Sequence, residues 1–246
     1  TINASSSIKS VLYDEKVLKI FNYNNYQNSI IPTDFYEKNL KHKVSVSLNN
    51  GMKIEKDIIL TNREKVSKPL GIPEKLGGNT QTAGKALVNN LSNENSILNN
   101  VKSEAKILWV KPFVKPLDNM FVTDGYGYNR DTVGYSIVHK GTDFRASVGT
   151  PVYAMNDGIV KIKRNFTTYG NTIVIDHGDG LITLYMHLDN MNVNQGDYVK
   201  AHDIIGLSGQ TGYASAPHLH ISIKINGISI DPYIFMKFFG IFSDNE

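Results

Sequence analysis

Residues 217–225 read Pro-His-Leu-His-Ile-Ser-Ile-Lys-Ile, and their alternation is strict. On a strand, His218, His220, Ser222 and Lys224 take one face; Leu219, Ile221, Ile223 and Ile225 take the other. The apolar face requires a core and the polar face a groove. Two histidines at i and i+2 then project side by side into one cleft. That spacing lets one imidazole bind a metal ion while the other stands just behind it.

Working outward, residues 181–188 read LITLYMHL. Thr183, Tyr185 and His187 share a strand face opposite Ile182, Leu184 and Met186, with His187 at the strand end. Further upstream, HKGTD at 139–143 sets His139 and Asp143 four apart around Gly141. A turn through the glycine can fold both side chains toward one point. The chain has no cysteine, so any metal must be held by His, Asp or Glu. Imidazole and carboxylate are ligands of catalytic zinc, with three from the protein and one position left for water. These five residues can supply three ligands and leave two histidines for proton transfer, which points to metal-assisted hydrolysis. Each string alone is a weak signal; the three in this order are a specific one. His42 and His202 are read as ordinary surface or core histidines, and His177 as a turn residue bonded to backbone.

The 246 residues suffice for one large domain or two small ones, with a globular composition. A net charge of +3 is too weak to argue for nucleic acid. No apolar run reaches the length of a transmembrane segment; Tyr233–Phe242 comes nearest and is broken by Lys237. Thr1 rather than Met opens the chain, so we expect that a leader or anchor has been removed.

The pattern predicts a mainly β chain in three parts. Residues 1–79 read as a small antiparallel β domain. Val44, Val46 and Leu48 alternate with serines, and Asn50-Gly51 signals a hairpin into a strand over 53–60. Residues 80–109 read as a helical linker, with Ala83, Leu87, Leu91, Ile97, Val101, Ala105 and Leu108 at helical spacing. Residues 110–246 read as an antiparallel β-sheet domain with an open groove, its strands at 158–163, 172–176, 181–186, 204–207 and 219–225 separated by glycine turns.

Over about residues 110–235 the chain resembles the lysostaphin/LytM-type zinc peptidases of peptidoglycan. The strings HKGTDFRASVGTPVYAMNDGIV, YGNTIVIDHGDGLITLYMHL, VNQGDYV and GLSGQTGYASAPHLHISI, closing on Asp231-Pro232, carry the likeness. The N-terminal part resembles, more weakly, a β-rich domain that precedes this peptidase in some bacterial envelope members.

The resemblance implies one zinc ion on His139, Asp143 and His220, and His187 and His218 as catalytic histidines. We expect His218 to take the proton of the attacking water and His187 to hydrogen-bond the oxyanion. The implied substrate is a crosslinked peptidoglycan peptide cut by a DD-endopeptidase in the cell envelope, periplasmic or exported. A carboxypeptidase, or a non-catalytic wall-binding activator of another hydrolase, is the alternative. Arg130, Tyr128 and Lys224 are candidates to hold substrate, and the N-terminal domain is a candidate regulator of the cleft. Many members read Phe-Gly-x-Arg where this chain has Tyr126-Gly127-Tyr128-Asn129-Arg130, and many carry an aromatic where it has Ile221. These departures bear on substrate preference, not on the chemistry.

Overall fold

Strands form in both the N-terminal and the C-terminal parts of the chain. The structure, a computed structural model, describes residues 7–23, 25–61 and 63–242. It divides into compact units of residues 1–64 and 65–246, so the expected boundary at 79 falls inside the second unit.

The first unit contains β1 (Ile8–Tyr13), β2 (Lys16–Leu18), β3 (Phe21–Tyr23), β4 (Tyr26–Asn28), β5 (Lys41–Leu48) and β6 (Lys53–Ile59). An antiparallel sheet runs β2-β1-β5-β6, and β3 and β4 pair separately. The Asn50-Gly51 turn joins β5 to β6 in the expected way, setting Val46 opposite Ile54. Val11, Val46 and Leu48 form the core, with Ile8, Leu18 and Ile54 packed on it. His42 is a core histidine, one of the two ordinary roles expected of it. It is buried on β5, with Nδ1 2.5 Å from Asp14 Oδ2 and Nε2 2.7 Å from the Asn39 carbonyl oxygen.

The second unit runs β7 (Ser67–Pro69), α1 (Gln81–Asn99), β8 (Val122–Asp124), β9 (Asn129–Thr132), β10 (Tyr135–Val138), β11 (Thr142–Arg145), β12 (Pro151–Tyr153), β13 (Gly158–Phe166), β14 (Gly170–Asp176), β15 (Leu181–Met191), β16 (Tyr198–Val199), β17 (Ile204–Ser208), β18 (His218–Ile225), β19 (Ile228–Ile230) and α2 (Pro232–Phe238). Its main sheet is antiparallel in the order β16-β13-β14-β15-β18-β11-β8; off this path β17 pairs with β15 and β12, and β19 with β18. A small sheet, β10-β9-β7, contains the parallel pair β7 and β9. The long stretch between those strands supplies the crossover that parallel pairing needs.

The α1 helix starts where Thr80 caps the Ala83 N–H at 3.2 Å. Its first half packs Ala83 and Leu87 with Ile72. Its last turn sets Leu98 against Phe166, Val174, Ile182, Leu184 and Met186 on the main sheet. Each such side chain, fully buried, contributes about 1.5–3 kcal/mol. The helix is therefore built into the second unit.

It also ends earlier than the spacing predicted. Residues 101–108 are irregular, because their polar groups serve the sheet instead of a helix. The Ser103 hydroxyl and the Glu104 N–H donate to the Asp176 carboxylate at 2.5 and 2.7 Å, and the Leu108 N–H donates to the His177 carbonyl at 2.9 Å. The apolar run after Asp231 folds as α2, capped by that aspartate and started by Pro232. Phe235 and Phe239 meet Phe113, and Phe239 meets Trp109 edge-on. Among the described residues no helix is long and apolar enough to cross a membrane.

Candidate metal centre

Strand register brings the centre together. β11 and β18 pair Asp143 with His220, so both side chains stand on the same face. His139 comes from the segment just before β11. His220 Nδ1 lies 2.8 Å from Asp143 Oδ1, His139 Nε2 lies 3.2 Å from that oxygen, and the two nitrogens are 3.0 Å apart. All three residues are buried. Gly141 is required here, since a Cβ at that position would stand 2.3 Å from His220 Nε2.

The outer hydrogen bonds fix which atoms carry protons. His139 Nδ1–H donates to the Gly125 carbonyl at 2.9 Å. His220 Nε2–H donates at 2.8 Å to Ser222 Oγ, whose own hydroxyl is spent on the Lys140 carbonyl at 2.9 Å. The inner nitrogens therefore present lone pairs to each other and to a carboxylate oxygen. Three acceptors with no proton among them form a vertex for a cation. Burial, opposed by Asp143, pushes the His220 pKa down to about 4, which keeps that ring neutral and ligand-competent. Burial disfavours ionised Asp143, yet its neighbours His139 and His220 outweigh it and keep the carboxyl well below the usual range.

The two remaining histidines sit beside this vertex. His218 Nδ1–H donates to the Ala216 carbonyl at 2.8 Å, and its Nε2 is buried, without a hydrogen-bond partner, 3.7 Å from Asp143 Oδ1. His187 Nδ1–H donates to the Thr211 carbonyl at 2.9 Å. The His187 ring centroid lies 4.7 Å from that of His218 and 6.0 Å from that of His220. Burial first, then His218 and His220, push the His187 pKa down to about 3.

His187 reaches this face by breaking the strand. Met186 pairs with His220 and Tyr185 with Ile221 across β15 and β18. Simple alternation would leave His187 with Thr183 and Tyr185, on the far side of the sheet from His220. Its backbone instead adopts φ +61°, and the register with the neighbouring strands shifts around it. A left-handed residue within a strand turns one side chain out of sequence. Alternation alone could not find this; the histidine itself was the signal.

The residues expected to hold substrate, Arg130, Tyr128 and Lys224, each contact other side chains of the second unit. Arg130, on β9, contacts Asp143 Oδ2 through Nη2 and reaches Asp124 Oδ2 at 2.8 Å. Asp124 Oδ1 is in turn 2.7 Å from Lys68 Nζ on β7. Arg130 thus occupies the carboxylate oxygen that the imidazoles leave open. The Tyr128 ring lies 4.9 Å from Lys68 Nζ. Lys224 is buried, with Nζ 2.5 Å from Asn99 Oδ1 at the end of α1. Burial and then Lys140 push its pKa down to about 8. His177 is bonded to backbone through Nδ1, 2.8 Å from the Asp157 carbonyl, and His202 stacks on Tyr153 at 4.3 Å. Ser222, which sets the His220 tautomer, was visible in the sequence only as a polar neighbour on the same strand face.

Residues 137–232 match the sequence model described as Peptidase family M23. The chain is 45% identical over 89 residues to the peptidoglycan DD-endopeptidase ShyA of Vibrio cholerae, covering 36% of this chain and 21% of that protein. It is 43% identical over 121 residues to lysostaphin of Staphylococcus simulans, covering 46% of this chain and 24% of that protein. With the DD-carboxypeptidase/endopeptidase Mpg of Neisseria meningitidis it shares 36% over 120 residues, covering 48% and 28%. The matched region thus spans a fifth to just over a quarter of these relatives. In fold, it is similar to a crystal structure from Pseudomonas aeruginosa assigned to peptidase M23, with TM-score 0.58 and 23% identity over 96% of this chain and 89% of that one. The C-terminal part of this chain is a peptidase M23 domain of the LytM/lysostaphin family.

Proposed function

We propose that this protein is a zinc-dependent endopeptidase of the bacterial cell envelope that cuts peptide crosslinks of peptidoglycan. The observation that carries the reading is the meeting of three unprotonated donor atoms, His139 Nε2, Asp143 Oδ1 and His220 Nδ1, beside two further imidazoles. Donors bound tetrahedrally at ~2.0–2.1 Å would stand roughly 3.3 Å apart. The separations of 2.8–3.2 Å fit that ion with a small outward shift. Two nitrogens and one oxygen also suit zinc chemically. The names of ShyA, lysostaphin and Mpg support peptidoglycan as the substrate class, and the complete ligand set favours an enzyme over a non-catalytic activator.

Bound zinc would polarise the scissile carbonyl and acidify the attacking water to near ~7. His218 is the proton carrier. Its Nδ1–H is committed to Ala216, so its Nε2 can take the water proton and return it to the leaving amine. His187 is assigned differently from the sequence-based expectation. An oxyanion donor needs a proton on Nε2. The bond from Nδ1–H to Thr211 and the depressed pKa keep the resting ring neutral, with Nε2 as an acceptor. We assign His187 to orient the water or a substrate N–H.

Digestion of purified peptidoglycan by the metal-loaded protein and by His220→Ala tests the reading. Crosslinked dimers should fall and monomers rise with the wild type alone. Release of only a terminal residue from uncrosslinked stems would make it a carboxypeptidase; no product from protein holding one zinc per chain would sink the enzyme reading. His218→Ala and His187→Ala should keep the metal while kcat falls by ~10²–10⁴. Loss of metal from His187→Ala would overturn the ligand assignment. Regulation by residues 1–64 belongs to the same proposal, and their deletion should raise the rate; an unchanged or lower rate counts against it.

A further inference from the structure

We infer that Glu94 and Asn95 of α1, which lies outside the family match, are positioning residues for His187. The inference rests on the reading that His187 serves the reaction. Glu94 is buried, although it sits in a helix rich in exposed polar side chains. Its carboxylate accepts the Thr168 N–H at 2.9 and 3.2 Å and the Tyr169 N–H at 3.2 Å. Asn95 Oδ1 accepts the Tyr169 hydroxyl at 2.9 Å. Two adjacent residues of the helix thus grip both ends of one tyrosine in the turn between β13 and β14.

That turn holds His187. The Tyr169 carbonyl accepts the His187 N–H at 3.0 Å, and the Thr168 carbonyl accepts the Tyr213 N–H at 2.8 Å. Tyr213 belongs to the loop whose Thr211 carbonyl takes His187 Nδ1–H. The two loops lock against each other: Asn171 N–H donates to Thr211 Oγ1 at 3.0 Å, and a Cβ on Gly170 would stand 2.3 Å from the same oxygen. His187 is therefore fixed at its main-chain N–H by one loop and at its ring by the other. It needs both, because its left-handed backbone is unfavourable for a residue with a Cβ and persists only where the surroundings over-determine it. A carboxylate can accept two N–H groups at once, each charge-assisted; an amide oxygen with an NH₂ beside it cannot serve both oxygen sites. The helix is thereby coupled to the active histidine through one turn.

The test uses the whole 246-residue chain, metal-loaded, and the variants Glu94→Gln, Glu94→Ala and Thr80→Ala. Thr80 caps the far end of α1 and takes part in none of these loops' hydrogen bonds, so its loss controls for helix stability. Two readouts are needed: kcat and KM on a crosslinked muropeptide, and the NMR resonance of the His187 Nδ1 proton, identified by its loss in His187→Gln. Glu94→Ala should lower kcat by up to ~10²-fold with KM and metal content unchanged, the scale of a misplaced reacting group. Glu94→Gln should fall between, and both should shift or broaden the ring resonance. Thr80→Ala should lower the melting temperature while leaving kcat and the resonance as in wild type. An unshifted resonance in both Glu94 variants overturns the inference, and so does an equal effect from Thr80→Ala. If the wild type cuts no muropeptide, the functional reading fails, while the ring resonance still decides the positioning.

Discussion

Both units of this protein contain a buried histidine paired with an aspartate, and only one of the pairs is built for chemistry. In the first unit, His42 spends both ring nitrogens, one on Asp14 and one on the Asn39 carbonyl. Asp14 spends its second oxygen on the Lys43 N–H at 2.8 Å. The pair pins the β1–β2 turn to β5 and has no donor atom left over. In the second unit, His139 and His220 each spend one nitrogen on an outer acceptor and turn the other inward, where Asp143 adds an oxygen. Unspent lone pairs, rather than the residue types, separate a metal centre from a crosslink.

Substitution of the two aspartates should break the comparison most sharply. Asp143→Ala should abolish metal binding and peptidoglycan cleavage, measured by metal analysis and product release. Asp14→Ala should leave both intact; if Asp14→Ala also lost metal, the division drawn here would be wrong. A smaller effect is expected at Arg130, which holds the outer oxygen of Asp143. Arg130→Ala should weaken metal affinity by ~10–100-fold in a chelator competition, the usual scale for a partner of a metal ligand. Unchanged affinity would instead leave Arg130 to the substrate, as the sequence suggested.

The smallest effects are on stability against pH, and the two units should respond in opposite directions. Asp14, through its hydrogen bonds, raises the His42 pKa, so the pair's contribution is present below the ordinary histidine pKa of 6.5 and fades as pH rises through the raised value. His177 in the second unit is pushed down to about 4 by burial. Unfolded chains bind that proton first, so the second unit should lose stability as pH falls from about 6.5 to about 4. Chemical denaturation at several pH values, with probes in each unit, would show the two trends. His177→Gln should flatten the acid limb if this histidine dominates it.

The strings HKGTD, YMHL and PHLH marked the residues of the centre, because each side chain carries its chemistry wherever the fold puts it. The Asn50-Gly51 hairpin was equally readable, since local backbone preference dictates it. What the sequence hid was non-local. Glu94 stands among the polar residues of a helix with nothing local to mark it, and its burial depends on a turn more than 70 residues away. The spacing through Val101 and Leu108 suggested helix, but Ser103 and Glu104 are held by Asp176. Lys224 shares a strand face with His220, as alternation required; the helix end that covers it could not be seen from that strand.

The same helix sets how small this protein can be made. A truncation at residue 110, where the family likeness begins, would remove α1 and uncover Ile182, Leu184 and Met186 together. It would also leave β9 without its parallel neighbour β7, and Asp124 without Lys68. An exposed apolar patch beside an unpaired strand edge is a route to aggregation. The shortest soluble fragment should therefore begin near Lys65, well upstream of every residue that touches the metal vertex.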